Sequence, residues 1–207
     1  MSQQRDSSDE SSDSALDLLE KWYHIPALLG IVVFMLWTRV QSYDNFIIDG
    51  EVFFRGNDAW YHYRETMYLL ENFPSTIPFD AWTGFPVGRH VGQFGTLWDQ
   101  ITAVFIFAAT PITGGGEEGA MRVMLLMSAI VGTLVAIPTY LIARRFVDRF
   151  AAVAAVAILA LLPGTFFSYT LVGFNDHHAG EMFFQALAVL TFLAAFAVAE
   201  REAPVWE

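Results

Sequence analysis

Two short polar runs interrupt an otherwise apolar chain, and they hold the residue types that could do chemistry. The first, Gly56-Asn57-Asp58-Ala59-Trp60-Tyr61-His62-Tyr63-Arg64, puts a carboxylate at the start of a run with helical periodicity. An aspartate there reads most simply as a helix N-cap accepting backbone N–H bonds. Beside a membrane surface and among aromatic rings, the same carboxylate is also a hard oxygen ligand for a divalent cation. The second, Gly173-Phe174-Asn175-Asp176-His177-His178-Ala179-Gly180-Glu181, crowds acid and imidazole into a turn between two apolar stretches. Asp176 can cap the helix that follows, but ionisable groups at the end of an intramembrane hairpin mark sites by default. In an extended turn Asp176 and His178 share a face, which turns His177 towards another ligand. Two carboxylates and an imidazole suit Mg²⁺ or Mn²⁺, with Zn²⁺ also admissible, and leave positions open for phosphate or water.

Composition limits what those residues can be part of. The 207 residues are 55% hydrophobic and 16% charged, with a mean hydropathy of +0.41, a balance that points to a membrane protein. Twenty-two acids against eleven bases give a formal charge of −11, which excludes a nucleic-acid partner held by a basic patch. Cysteine is absent, so disulfides, thiolate nucleophiles and Cys-ligated metal centres are excluded. No GxSxG, Walker A, HExxH or dinucleotide fingerprint occurs, and Gly114-Gly115-Gly116 leads into two glutamates, the wrong charge for a phosphate cradle.

The elements that must position the two runs follow from apolar length. Residues 1–24 read as a disordered acidic cytoplasmic tail. Residues 25–42, 120–143, 150–172 and 179–200 read as four membrane-spanning helices, close to the roughly 20 residues a bilayer needs. Residues 144–149 hold Arg144, Arg145 and Arg149, the densest basic cluster, and by the positive-inside rule face the cytoplasm. That frame leaves residues 43–119 outside as a long loop, the 173–178 turn outside as well, and 201–207 as a cytoplasmic stub. Leu97–Thr113, interrupted by Asp99, Gln100 and Pro111, is then an external helix on or dipping into the interface. Trp60, Tyr63, Met67 and Leu70 recur at helical spacing, predicting an amphipathic helix over 59–73 that rests on the membrane face. Asp58 and Asp176 fall on one outer face of a multi-pass protein of the cell membrane. Asp80, an acid elsewhere in the same external segment, is expected to be dispensable.

The runs GNDAWYHYR and NDHH, together with FPVGRH and TLWDQI, closely resemble the catalytic subunit of oligosaccharyltransferase in its archaeal single-subunit form. The resemblance extends from residue 25 to the end, and the acidic composition with Lys21 as its one lysine is similar to haloarchaeal members. It implies an all-α, polytopic bundle of the GT-C glycosyltransferase type. It further implies a divalent cation, Mn²⁺ or Mg²⁺, held by Asp58, Asp176 and His178, with Asp58 and Asp176 as the catalytic carboxylates. His177, with His90 or Arg64, would face the lipid phosphate. The implied reaction moves a glycan from a dolichyl-phosphate-type lipid to the asparagine amide of an acceptor protein, with no covalent enzyme nucleophile. Two alternatives stay open: another polyprenyl-phosphate-sugar glycosyltransferase, or an ion-coupled transporter using Asp176, His177 and His178. Family members have more spans, a further acidic loop and a soluble C-terminal domain, so this chain reads as an N-terminal fragment, inactive alone.

Overall fold

The computed structural model describes residues 17–200 apart from 19 and 94. The expectations for residues 1–16 and 201–207 lie outside the described residues. Helix α1 (His24–Val40) is followed by a 3-10 turn at Tyr43–Phe46. A small antiparallel hairpin, β1 (Ile47–Ile48) with β2 (Glu51–Val52), leads to α2 (Asp58–Asn72). A second hairpin pairs β3 (Phe79–Asp80) with β4 (Arg89–His90), Asp80 opposite Arg89. Then come α3 (Leu97–Thr113), α4 (Glu117–Leu134), α5 (Ala136–Ala143), α6 (Arg149–Leu161), α7 (Thr165–Tyr169) and α8 (His178–Ala199).

Helix α4 is the axis of the bundle. Its Met124, Leu125, Met127 and Ala129 are fully buried, and α1, α2, α3 and α8 all pack on it. Around it the core gathers Val52 and Phe54 from the first hairpin, Ala59 from α2, Trp98 and Ile106 from α3, and Val172 and Ala179 beside the second polar run. A smaller core joins Met35 of α1 to Ala136, Val156 and Ala160. Pro138 lacks the amide that would bond to Leu134, which accounts for the break between α4 and α5 at Val135.

Among the described residues, three helical stretches are long and apolar enough to cross a membrane: His24–Phe46, Glu117–Ala143 and His178–Ala199. They overlie three of the four stretches read as spans. The fourth, 150–172, is not one helix. Asp148 caps α6 by accepting from the Ala151 amide at 2.8 Å, the helix ends at Leu161, and Pro163-Gly164 separate it from the five residues of α7. The boundary of the acidic tail also moves, since residues 20–22 are already helical. That stretch has partners: Lys21 C=O accepts from Arg149 Nη1 at 3.1 Å, and the His24 ring stacks on Tyr140.

The amphipathic helix exists, as α2, but its most buried face is not the aromatic one. Trp60, Tyr63, Met67 and Leu70 are partly buried against the protein core, whereas Ala59, His62, Glu65, Thr66 and Leu69 are buried outright, with α3 packed alongside. Helix α3 in turn buries Trp98, Asp99, Thr102, Ala103 and Ile106. The reading of α2 from apolar spacing alone is therefore corrected: two ionisable side chains of this helix point inward.

Candidate active site and metal centre

Three elements bring the polar groups together. Helix α2 begins at Asp58, with Asn57 before it making no side-chain cap, so Asp58 is the first helical residue and not a capping one. Its exposed carboxylate accepts no hydrogen bond among the described residues, and it lies one turn from His62 on the same face. His62 is 3% exposed and Asp99, from α3, is 1% exposed. They meet at 2.8 Å, Nδ1 to Oδ1. The other ring nitrogen of His62 lies 3.1 Å from His177 Nδ1 and 3.6 Å from Asp176 Oδ1.

The second run is locked onto the bundle by its backbone. Gly173 takes a φ of +83°, and a Cβ there would lie 2.4 Å from the Phe46 ring, so only glycine fits the turn. Its amide bonds to Leu125 C=O and its carbonyl accepts from the Arg55 amide, both at 2.9 Å. Asp176 follows in irregular backbone, 1% exposed, and His178 opens α8. His177 does not turn away as the extended-turn argument expects: its Nδ1 is 2.7 Å from Asp176 Oδ1. His178 Nε2 is 3.8 Å from Asp176 Oδ2, while its Nδ1 is 2.8 Å from Glu181 Oε2.

Charge is distributed in a definite way. Burial disfavours a charged His62, yet Asp176 and Asp99 outweigh it and push the imidazole up to about 9. Burial likewise disfavours the Asp176 carboxylate, but contacts to His177 and His62 hold it well below the usual carboxylate range. Asp176 raises His177 in return. Behind this layer Glu65 is 2% exposed, and burial together with Asp99 and Asp80 raises it to about 8.

A cavity of about 1050 Å³ opens over these groups. Its lining is mixed: Asp58, His62, Arg64, His177 and Glu181 are polar, and Trp98, Phe184 and Ala188 are apolar. Asp176 lies beneath, behind His62 and His177. The other expected contributors are placed differently. Arg64 binds Asp80 through two nitrogens, Nη2 to Oδ2 at 2.6 Å and Nε to Oδ1 at 3.3 Å. Exposed His90 packs its ring on Phe79 and is not among the cavity-lining residues. Asp80, expected to be dispensable, is 3% exposed and holds Arg64, Thr83 and the Trp82 amide.

The donor set fits a divalent cation. Both carboxylate oxygens of Asp176 are buried without a well-formed hydrogen bond among the described residues, despite the close imidazoles. Such groups cost on the order of 1–3 kcal/mol or more when left unmet, and a hard cation would satisfy them. Among the described residues, two triads have ligand atoms within 4.8 Å of one another: His62, Asp176 and His177, and His177, His178 and Glu181. Neither contains Asp58, and neither unites Asp176 with His178. His62, Asp99 and Glu181 are thus contributors that the sequence reading passed over. A charged residue inside the apolar stretch Leu97–Thr113 was the signal available for Asp99.

The sequence family described as "Oligosaccharyl transferase STT3, N-terminal" matches residues 28–205. The chain belongs to that family. It is 49% identical over 199 residues to the dolichyl-monophosphooligosaccharide–protein glycotransferase AglB of Haloferax volcanii, covering 95% of this chain and 18% of that protein. Among solved structures it is similar to the oligosaccharyltransferase of Archaeoglobus fulgidus. In the form tethered to an acceptor peptide with the NVT sequon, the TM-score is 0.79 at 32% identity, over 91% of this chain and 22% of that one. In the complex with an inhibitory peptide and a dolichol-phosphate the TM-score is 0.76, at 32% identity over 90% and 22% of the two chains. In the zinc and sulfate complex it is 0.72, at 35% identity over 83% and 21%. The chain spans about a fifth of the length of these relatives.

Proposed function

We propose that this chain forms the membrane-embedded N-terminal part of an oligosaccharyltransferase. The enzyme would move a glycan from a dolichyl-phosphate-type lipid to the asparagine amide of N-glycosylation sequons in an acceptor protein. The observation that carries this reading is Asp176, a buried carboxylate whose oxygens lack a well-formed hydrogen bond among the described residues, beside the cavity-lining His62 and His177, in a chain 49% identical over 199 residues to a glycotransferase. The donor lipid has a greasy tail and an aqueous headgroup, and a cavity lined by both apolar residues such as Phe184 and Ala188 and polar ones such as Asp58 and His177 suits both parts. The Archaeoglobus relative is solved with a dolichol-phosphate and with a sequon peptide, which supports the same two substrates here.

Asp58, Asp176 and His178 would hold the cation, Mn²⁺ or Mg²⁺ with Zn²⁺ admissible; it would supply Lewis-acid polarisation at the site. Asp58 and Asp176 would orient the acceptor amide, an inherently poor nucleophile for which positioning lowers the barrier. His177, raised by its contact with Asp176, would offer an N–H donor towards a leaving phosphate, with Arg64 at the cavity wall and His90 further off. The protein would be multi-pass in the cell membrane, with residues 43–119 and 173–178 outside and Arg144, Arg145 and Arg149 in the cytoplasm.

The test is glycan transfer to a sequon peptide by the full-length protein, with Mn²⁺ binding followed in parallel. Asp58→Ala and Asp176→Ala should each lower transfer by 100-fold or more. Glu71→Ala, on the exposed side of α2, should leave it near wild type. Wild-type transfer by either aspartate variant would overturn the reading.

A further inference from the structure

Arg39 sits in α1, inside the candidate span His24–Phe46, and is completely buried. That is an expensive place for a cation, and among the described residues no carboxylate pairs with it. Its guanidinium is spent instead on the segment that leads to Asp176. Nε donates to Thr170 Oγ1 at 2.8 Å, and the guanidinium carbon stands 5.3 Å from the ring centres of both Phe166 and Phe167. Nη1 donates to Met35 C=O at 3.0 Å, which fixes the side chain to its own helix. The Arg39 carbonyl accepts from the Val172 amide at 3.0 Å.

Thr170 is also held from the other side. A Cβ on Gly132 would lie 2.2 Å from its methyl group, so α4 admits Thr170 only because that position is glycine. Beyond it the anchoring continues along α4: the Gly173 amide bonds to Leu125 C=O, Ser128 Oγ donates to Phe174 C=O, and the Asp176 amide reaches Ser128 Oγ at 3.4 Å. Arg39 thus fastens the start of a short strap whose other end is Asp176.

We propose that Arg39 is a positioning residue for Asp176, setting from α1 the height at which the 170–176 strap presents its carboxylate. The inference rests on the reading of Asp176 as a cation ligand. It differs from a packing role in what it predicts: loss of Arg39 should loosen the strap and weaken the cation while the α2 and α3 side of the site stays intact.

Hydrogen exchange on the metal-free, detergent-solubilised protein, with Mn²⁺ titration, tests this. In Arg39→Met the amides of Val172 and Gly173 should exchange at least 10-fold faster, amides of α2 should exchange as in wild type, and Mn²⁺ affinity should fall about 10-fold. Arg122→Met, at a half-buried arginine paired with Glu118, should change neither. Thr170→Val removes the acceptor of Nε, together with the hydroxyl's own bonds to the Phe166 and Phe167 carbonyls, and should reproduce the local exchange; it decides the matter where Arg39→Met loosens the whole bundle. Wild-type exchange at Val172 and Gly173 in Thr170→Val, or in a folded Arg39→Met protein, would overturn the inference. If wild type and Asp176→Ala bind Mn²⁺ equally weakly, the metal reading fails, and the exchange result alone judges Arg39.

Discussion

His62 on α2 and Asp99 on α3 form a buried pair at 2.8 Å, and the far nitrogen of that imidazole reaches 3.1 Å from His177. One side chain therefore ties the first polar run to the second across more than a hundred residues of sequence. Asp99 orients the ring by accepting from Nδ1, which leaves Nε2 aimed at His177 and Asp176. Removing the orienting partner of a group at a metal site typically costs 10–100-fold. Asp99→Asn should lower Mn²⁺ affinity and glycan transfer by about that much, and His62→Ala by at least as much. Transfer within twofold of wild type in both variants would show the pair to be incidental.

Glu65 gives a pH signature. Its folded-state value, raised to about 8 by burial and by Asp99 and Asp80, means that the folded protein holds this proton more tightly than the unfolded chain. Stability is therefore highest below the usual glutamate range, near 4.5, and declines as pH rises towards 8. Glu65→Gln should raise the melting temperature by a few degrees at pH 8 and change it little at pH 4.5. An equal shift at both values would contradict the assignment.

Asp80 gives the opposite sign. Burial opposes its charge, but Arg64, Thr83 and the Trp82 amide hold it below the usual carboxylate range. Its contribution is present above about pH 4 and is lost as pH falls through the lowered folded value. Asp80→Asn should remove that acid-side loss. Because the same carboxylate fixes Arg64 and the turn with Trp82 at the cavity wall, the variant should also raise KM for the lipid donor several-fold with little change in kcat. Unchanged KM would detach the hairpin from substrate binding.

Sidedness can be read chemically, because the chain has no cysteine. Single cysteines at Ser75 and Val147 leave the Asp148 cap of α6 in place. In intact cells a membrane-impermeant thiol reagent should label the former and spare the latter. Equal labelling would overturn the orientation proposed from Arg144, Arg145 and Arg149.

Apolar length and punctuation, both local properties, determined much of this protein. They marked the helices at His24–Val40, Leu97–Thr113 and His178–Ala199, and placed Asp58 and Asp176 at the edges of apolar elements, since both follow from a residue and its neighbours within one or two turns. Pro163-Gly164 breaks the apolar stretch 150–172, a break that average apolarity over a window does not register. What only the tertiary structure decided are relations between distant segments. Which face of α2 goes inward depended on what α3 offers: the carboxylate of Asp99 makes burial of His62 affordable, and no periodicity within α2 reports that. Arg64, which the resemblance turns towards the lipid phosphate, is bound to Asp80 sixteen residues away, on the first strand of a hairpin. The strap that carries Asp176 is held by Leu125 and Ser128 of α4, and its start by Arg39 of α1 through Thr170. Long-range hydrogen bonds and desolvation set those positions, and neither is written in any stretch of the chain taken alone.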